Sequence, residues 1–98
     1  MNVNINSVHF KTDRNLDNFI ERKIQKLSGF HGGVVGSEVT LKLDNSETRE
    51  NKVSEIRLIL KGDELFAKKQ SRTFEEAIDL AVDALKKQIE KHKEKFSK

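Results

Sequence analysis

Thr73-Phe74-Glu75-Glu76-Ala77-Ile78-Asp79-Leu80-Ala81-Val82-Asp83-Ala84-Leu85-Lys86-Lys87-Gln88-Ile89-Glu90-Lys91-His92-Lys93 is the stretch that decides the fold of this chain. Thr73, with Glu76 three residues on, forms a capping box: the hydroxyl and the carboxylate each satisfy a free backbone N–H at the start of a helix. Phe74, Ile78, Ala81, Leu85, Ile89, His92 and Phe96 then recur at steps of three and four, the apolar stripe of a helix that lies on a core. The 98 residues include no proline, so this helix meets no strong breaker before the sequence ends.

Upstream of the helix the period changes to two. Leu65, Ala67 and Lys69 alternate with Phe66 and Lys68, a strand entered through the tight turn Lys61-Gly62-Asp63-Glu64. Ile56, Leu58 and Leu60 form the strand before it, and Val39, Leu41 and Leu43 the one before that, joined by a long hairpin through the polar stretch 44 to 51. Residues 29 to 36 hold four of the five glycines and read as a flexible connection. Ahead of them, Leu16, Phe19, Ile20, Ile24 and Leu27 predict a helix over 14 to 28, capped by Asp13 and stopped at Gly29. Val3 and Ile5 predict a strand over 2 to 7. The order is βαβββα, an α+β fold in one domain, 1–98, with two helices on one face of a four-stranded sheet.

A chain of this size buries roughly 60 to 65% of its unfolded surface, which allows one core and no second lobe. The absence of cysteine excludes a disulfide scaffold and thiol chemistry. No apolar run approaches 18 residues, and the amino terminus lacks the layout of a signal peptide, so the expectation is a cytoplasmic protein with no membrane partner.

Sites for chemistry are scarce. His9, His31 and His92 fall on three different elements with no metal-ligand spacing. The glycine-rich segment superficially matches a backbone-clamping GxxG loop but lacks the flanking helices of that motif, and it lacks the lysine and hydroxyl of a phosphate-binding loop. Glu75, Glu76, Asp79 and Asp83 occupy the first half of a helix, where carboxylates favour the positive end of its dipole. No nucleophilic serine setting is present. The expectation is a non-enzyme with no metal, no cofactor and no small-molecule substrate. Of the six phenylalanines, most fall on core stripes and only Phe66 could qualify for stacking on a base, so readout of RNA by stacking is not expected.

Nineteen basic and 16 acidic residues give a net charge of +3, too small to name a nucleic-acid partner. The distribution says more. Residues 74 to 85 carry four acids and no bases, whereas 86 to 98 carry six lysines and two glutamates. Lysines near a helix carboxyl terminus suit the dipole, which accounts for two or three of them but not six. About 23 helical residues span roughly 34 Å against some 23 Å for strands of about seven residues, so the last turns should overhang the sheet. Lys87, Lys91 and Lys95 line one flank of the overhang, and Lys86 and Lys93 the other. Arg22, Lys23 and Lys26 share the flank of the first helix that carries Phe19, expected to face the second helix through Ala77, Leu80 and Ala84. Lys68, Lys69 and Arg72 are expected to extend the same surface, a surface suited to phosphates. The competing reading is a solvated, functionless charged face.

Residues 53 to 95, above all Leu65-Phe66-Ala67 and the capped helix quoted first, resemble the ribosome hibernation promoting factor family, also called ribosome-associated translation inhibitors or subunit interface proteins. The first half agrees more loosely, through Leu16, Phe19, Ile20, Lys23 and Leu27. The resemblance implies a fold similar to double-stranded RNA-binding domains. It also implies binding in the messenger and transfer RNA channel of the small ribosomal subunit, with Arg22, Lys23, Lys26, Lys86, Lys87, Lys91 and Lys93 on ribosomal RNA (rRNA) phosphates. Asp13 departs from the family's usual threonine, a harmless exchange of caps. Long members carry a further domain that pairs ribosomes; with the sequence ending at Lys98, pairing is expected to need a separate protein or not to occur. The sequence shows no long tail after the second helix, which leaves hibernation promotion and plain inhibition both open. Two rival readings stand beside this one: a generic double-stranded RNA binder, and a regulatory module whose long helix docks in a protein groove.

Overall fold

A computed structural model describes residues 2–44 and 49–96, with side chains of the last helix through His92. Strand β1 (Asn2–Ser7) leads through Asp13, whose carboxylate accepts the Leu16 N–H at 2.7 Å, into helix α1 (Arg14–Gln25). A single 3-10 turn, Lys26–Gly29, tightens the end of this helix where the sequence predicts continued α-helix. Strands β2 (Val34–Leu43), β3 (Lys52–Leu60) and β4 (Asp63–Ser71) follow, and helix α2 (Phe74–Phe96) closes the chain. This is the expected βαβββα order.

The sheet order is β1-β2-β3-β4, with β1 parallel to β2 and the other pairs antiparallel. A parallel neighbour needs a crossover, which α1 supplies. The flexible connection expected over 29 to 36 is only partly so. Val34 and Gly36 pair with Leu60 and Ile59 around a bulge at Val35, so β2 starts inside the glycine-rich segment. Leu60 pairs with Asp63 across a two-residue turn in which Gly62 takes φ +84°, a left-handed conformation that favours glycine. The backbone bond from Asp44 N to Asn51 O (2.8 Å) closes the β2–β3 hairpin; positions 45 to 48 of the predicted polar stretch lie outside the described residues.

One face of the sheet is apolar. Val39 and Leu41 of β2, Ile56 and Leu58 of β3, Ile20 and Ile24 of α1, and Ile78, Leu85 and Ile89 of α2 are fully buried in one cluster. Burying each such side chain contributes about 1.5 to 3 kcal/mol. Thr73 Oγ1 accepts the Glu76 N–H at 3.0 Å, so the threonine half of the predicted capping box is formed.

Candidate nucleic-acid interface

The two helices run parallel, as four contacts in ascending order show. Phe10, just ahead of α1, stacks on Phe74 with ring centroids 4.9 Å apart. Lys23 Nζ then meets Asp79 Oδ1 at 3.0 Å, Lys86 Nζ lies 5.5 Å from the Phe30 ring centroid, and the His31 and His92 rings meet at 3.2 Å. The last turn of α1 therefore lies beside the first half of α2, and the segment that follows it, through Phe30 and His31, lies beside the second half.

Those contacts also fix which flank of α2 faces α1. It is the one carrying Asp79 and Lys86, not the expected Ala77, Leu80 and Ala84. Gln88, on the other flank, donates from Nε2 to the Phe66 carbonyl of β4 at 2.8 Å, and Leu80 is exposed. The flank of α1 that carries Phe19 does face α2 as the sequence predicts. An open depression runs along it, with Phe19, Arg22, Lys23 and Lys26 among its lining residues.

The predicted cations now sort by position. Arg22, Lys26, Lys87 and Lys91 are exposed, Lys86 is half-buried, and none forms an ion pair among the described residues. Arg22 and Lys26 belong to the end of α1 and its 3-10 turn, and Lys86, Lys87 and Lys91 to the second half of α2. Lys23 is at the same interface, but Asp79 partly neutralises it. Lys93 and Lys95 continue α2, and their side chains lie outside the described residues.

Lys68, Lys69 and Arg72 do not extend this surface. Lys68 is opposite Glu55 in the sheet register and points to the helix-free face, 3.9 Å from the Glu55 carboxylate. Lys69 and Arg72 are exposed at the far end, because α2 runs antiparallel to β4: His92 meets Asp63 at the start of that strand. From the start of α2 to Lys86 is about 18 Å along the helix axis. The overhang is also shorter than expected. The long strands have 9 or 10 residues rather than about seven, so α2 is still over the sheet at His92.

The helix-free face is electrically balanced. Arg57 lies 3.4 Å from both Glu38 and Glu64, and Glu55 takes Lys42 at 2.7 Å as well as Lys68. Three bases and three acids cancel there.

Two features escaped sequence reasoning. His31 and His92, 61 positions apart, form one chain of hydrogen bonds. The Gly33 N–H donates to His31 Nδ1 (2.9 Å), which puts the His31 proton on Nε2, facing His92 Nδ1. His92 Nε2 meets Asp63 Oδ2 at 3.2 Å. The chain ties the segment after α1 and the end of α2 to the β3–β4 turn. The second feature is Phe30, which is 44% exposed rather than in the core. His92 carried a signal, its place on the apolar stripe; His31 and Phe30 carried none. Among the described residues no group of three or more His, Cys, Asp or Glu is arranged to hold a metal ion, and no helix is long and apolar enough to cross a membrane.

Comparison with known proteins gives concordant results. The family model described as "Sigma 54 modulation protein / S30EA ribosomal protein" matches residues 3–97. A ribosome hibernation promotion factor of Bacillus subtilis is 32% identical over 98 residues, all of this chain, which spans 51% of that relative's length. A ribosome hibernation promoting factor of Pseudomonas putida is 30% identical over 95 residues, covering 97% of this chain and 89% of the relative. Among solved structures, the Protein Y N-terminal domain of Thermus thermophilus superposes with a TM-score of 0.81 at 22% identity, covering 94% of this chain and 99% of that one. A ribosomal subunit interface protein from Coxiella burnetii gives 0.83 at 16% identity, with 95% and 98% covered. Both share the βαβββα fold.

Proposed function

We propose that the chain, which belongs to the Sigma 54 modulation protein / S30EA ribosomal protein family, is a ribosome-binding hibernation factor. It occupies the messenger and transfer RNA channel of the small subunit and stops translation by occlusion, without catalysis. The observation that carries this reading is the division of charge. Cations on the helix-free face are matched by carboxylates, whereas among the described residues Arg22, Lys26, Lys86, Lys87 and Lys91 of the helix layer form no ion pair. Unpaired cations on a rigid helix pair suit phosphates of folded RNA, which are recognised by shape and charge rather than by base sequence. The names of the relatives in Bacillus subtilis and Pseudomonas putida support the ribosome as the RNA.

Sedimentation with purified small subunits tests this. The protein cosediments, excess transfer RNA displaces it, and the triple reversal of Lys87, Lys91 and Lys93 to glutamate abolishes binding with an unchanged far-ultraviolet spectrum. Binding that transfer RNA leaves untouched contradicts the channel site. Equal competition by any A-form duplex supports a generic RNA binder instead. Ribonuclease-insensitive capture of a single protein partner in place of subunits supports a docking module.

A further inference from the structure

We infer that Phe30 is a base-stacking contact: its exposed ring, beside the Lys86 ammonium at the basic end of the helix face, takes the face of an unpaired RNA base. The inference rests on the RNA-binding reading above and adds to it a contact that phosphate attraction does not provide.

Phe10, Phe19 and Phe74 pack against the core, whereas Phe30 is 44% exposed. The backbone that presents it is fixed on both sides. Its own N–H donates to the Leu27 carbonyl at 3.0 Å, and the next residue, His31, is held by Gly33 and His92. A ring held in place loses little freedom on binding. Lys86 Nζ lies over one face of the ring, 5.5 Å from its centroid, and forms no ion pair among the described residues, so a nucleotide whose base takes the open face brings its phosphate within reach of that ammonium. Stacking of this kind tolerates any base, because every base offers a π-face.

Phe66 is the internal contrast. It is 50% exposed, but it lies on the helix-free face among Glu38, Glu55 and Arg57, where the charges are already matched. Exposure alone does not distinguish the two rings; the unpaired cation does.

The test measures affinity for purified small subunits across a salt series. Phe30→Ala and Phe30→Leu lose roughly five- to hundredfold in affinity, while the dependence on salt keeps its slope because no phosphate contact is removed. Phe66→Ala binds as the wild type does. The natural chain contains no tryptophan, so Phe30→Trp installs a single indole. That variant retains affinity, and its fluorescence is quenched on binding. Since more than half of the ring is covered, Phe30→Ala lowers the thermal midpoint by a few degrees, whereas Phe30→Leu and Phe30→Trp keep it close to the wild-type value, and affinity is read well below all of these midpoints.

Wild-type affinity in Phe30→Ala or Phe30→Leu overturns the inference, as does an indole whose emission does not change on binding. A wild-type protein that fails to bind subunits at all is a different result: it refutes the underlying RNA reading, and the stacking contact falls with it.

Discussion

Replacing Lys87 and Lys91 together by alanine removes two exposed cations from the basic end without touching the core, since both point away from the sheet. Arg22, Lys26, Lys86, Lys87 and Lys91 are the described cations there without a carboxylate partner. If each neutralises one phosphate, the logarithm of affinity falls against the logarithm of salt with a slope of roughly −3.5 to −4.5. Raising salt from about 50 to about 200 mM then weakens wild-type binding roughly 100- to 500-fold. The double variant retains three such cations, so its slope is roughly −2.1 to −2.7 and the same change costs only roughly 20- to 40-fold.

Fluorescence anisotropy of labelled protein titrated with purified small subunits over that salt range reads both slopes. Lys68→Ala is the matched control, because Lys68 lies on the opposite face beside Glu55. Its slope stays that of the wild type. The reasoning is refuted if Lys68→Ala flattens the dependence as much as the double variant does, or if wild-type affinity barely responds to salt.

Three further outcomes follow from other contacts. Asp79→Asn releases Lys23 from its 3.0 Å ion pair; this half-exposed pair contributes at most about 1 kcal/mol to stability, while subunit binding acquires a salt slope steeper by roughly 0.7 to 0.9. Leu85→Ala empties a fully buried position beneath α2 and costs about 2 to 5 kcal/mol, which calorimetry records as a fall of roughly 10 °C or more in thermal midpoint. His31→Ala removes the partner of both Gly33 N–H and His92 Nδ1, costs about 1 to 3 kcal/mol, and speeds amide exchange in 30 to 33 and the end of α2 more than in β2 and β3.

The fold was legible because its signals are local. The 3.6-residue stripe from Phe74 to Ile89, the Thr73 cap, the turn at Gly62 and the period-two runs around Ile56 and Ala67 each report on neighbours within a few positions. What the sequence misplaced depends on separation in space. The glycine-rich segment gave no sign that Val34 would pair with Leu60, so the start of β2 was hidden. A helical wheel shows two flanks of α2 but not which one a second helix will take. Ala77, Leu80 and Ala84 looked the better packing surface, yet Asp79 and Lys86 face α1. Lys68 is a further case: alternation correctly turned it away from Ala67, but only the register with Glu55 shows that its charge is answered there.

Positive charge is sorted along the helix side of the sheet. A helix presents roughly half a negative charge at its carboxyl terminus, felt within its last turn, and the last turn of α1 carries Arg22 and Lys23. Lys86, Lys87 and Lys91 stand five to ten residues before the end of α2, beyond the reach of its terminus, and their mutual repulsion is left to screening by solvent and salt. The dipole of α1 favours Arg22 without occupying its guanidinium, whereas a carboxylate partner would do both, as Glu55 does for Lys68. The acids of the first half of α2, Glu75 and Glu76 in its opening turn and Asp79 beyond, answer the opposite end of the dipole and keep that end of the helix face unattractive to phosphate. One folding rule, charge set against the helix ends, thus stabilises both helices and gives the surface a direction in which to meet RNA.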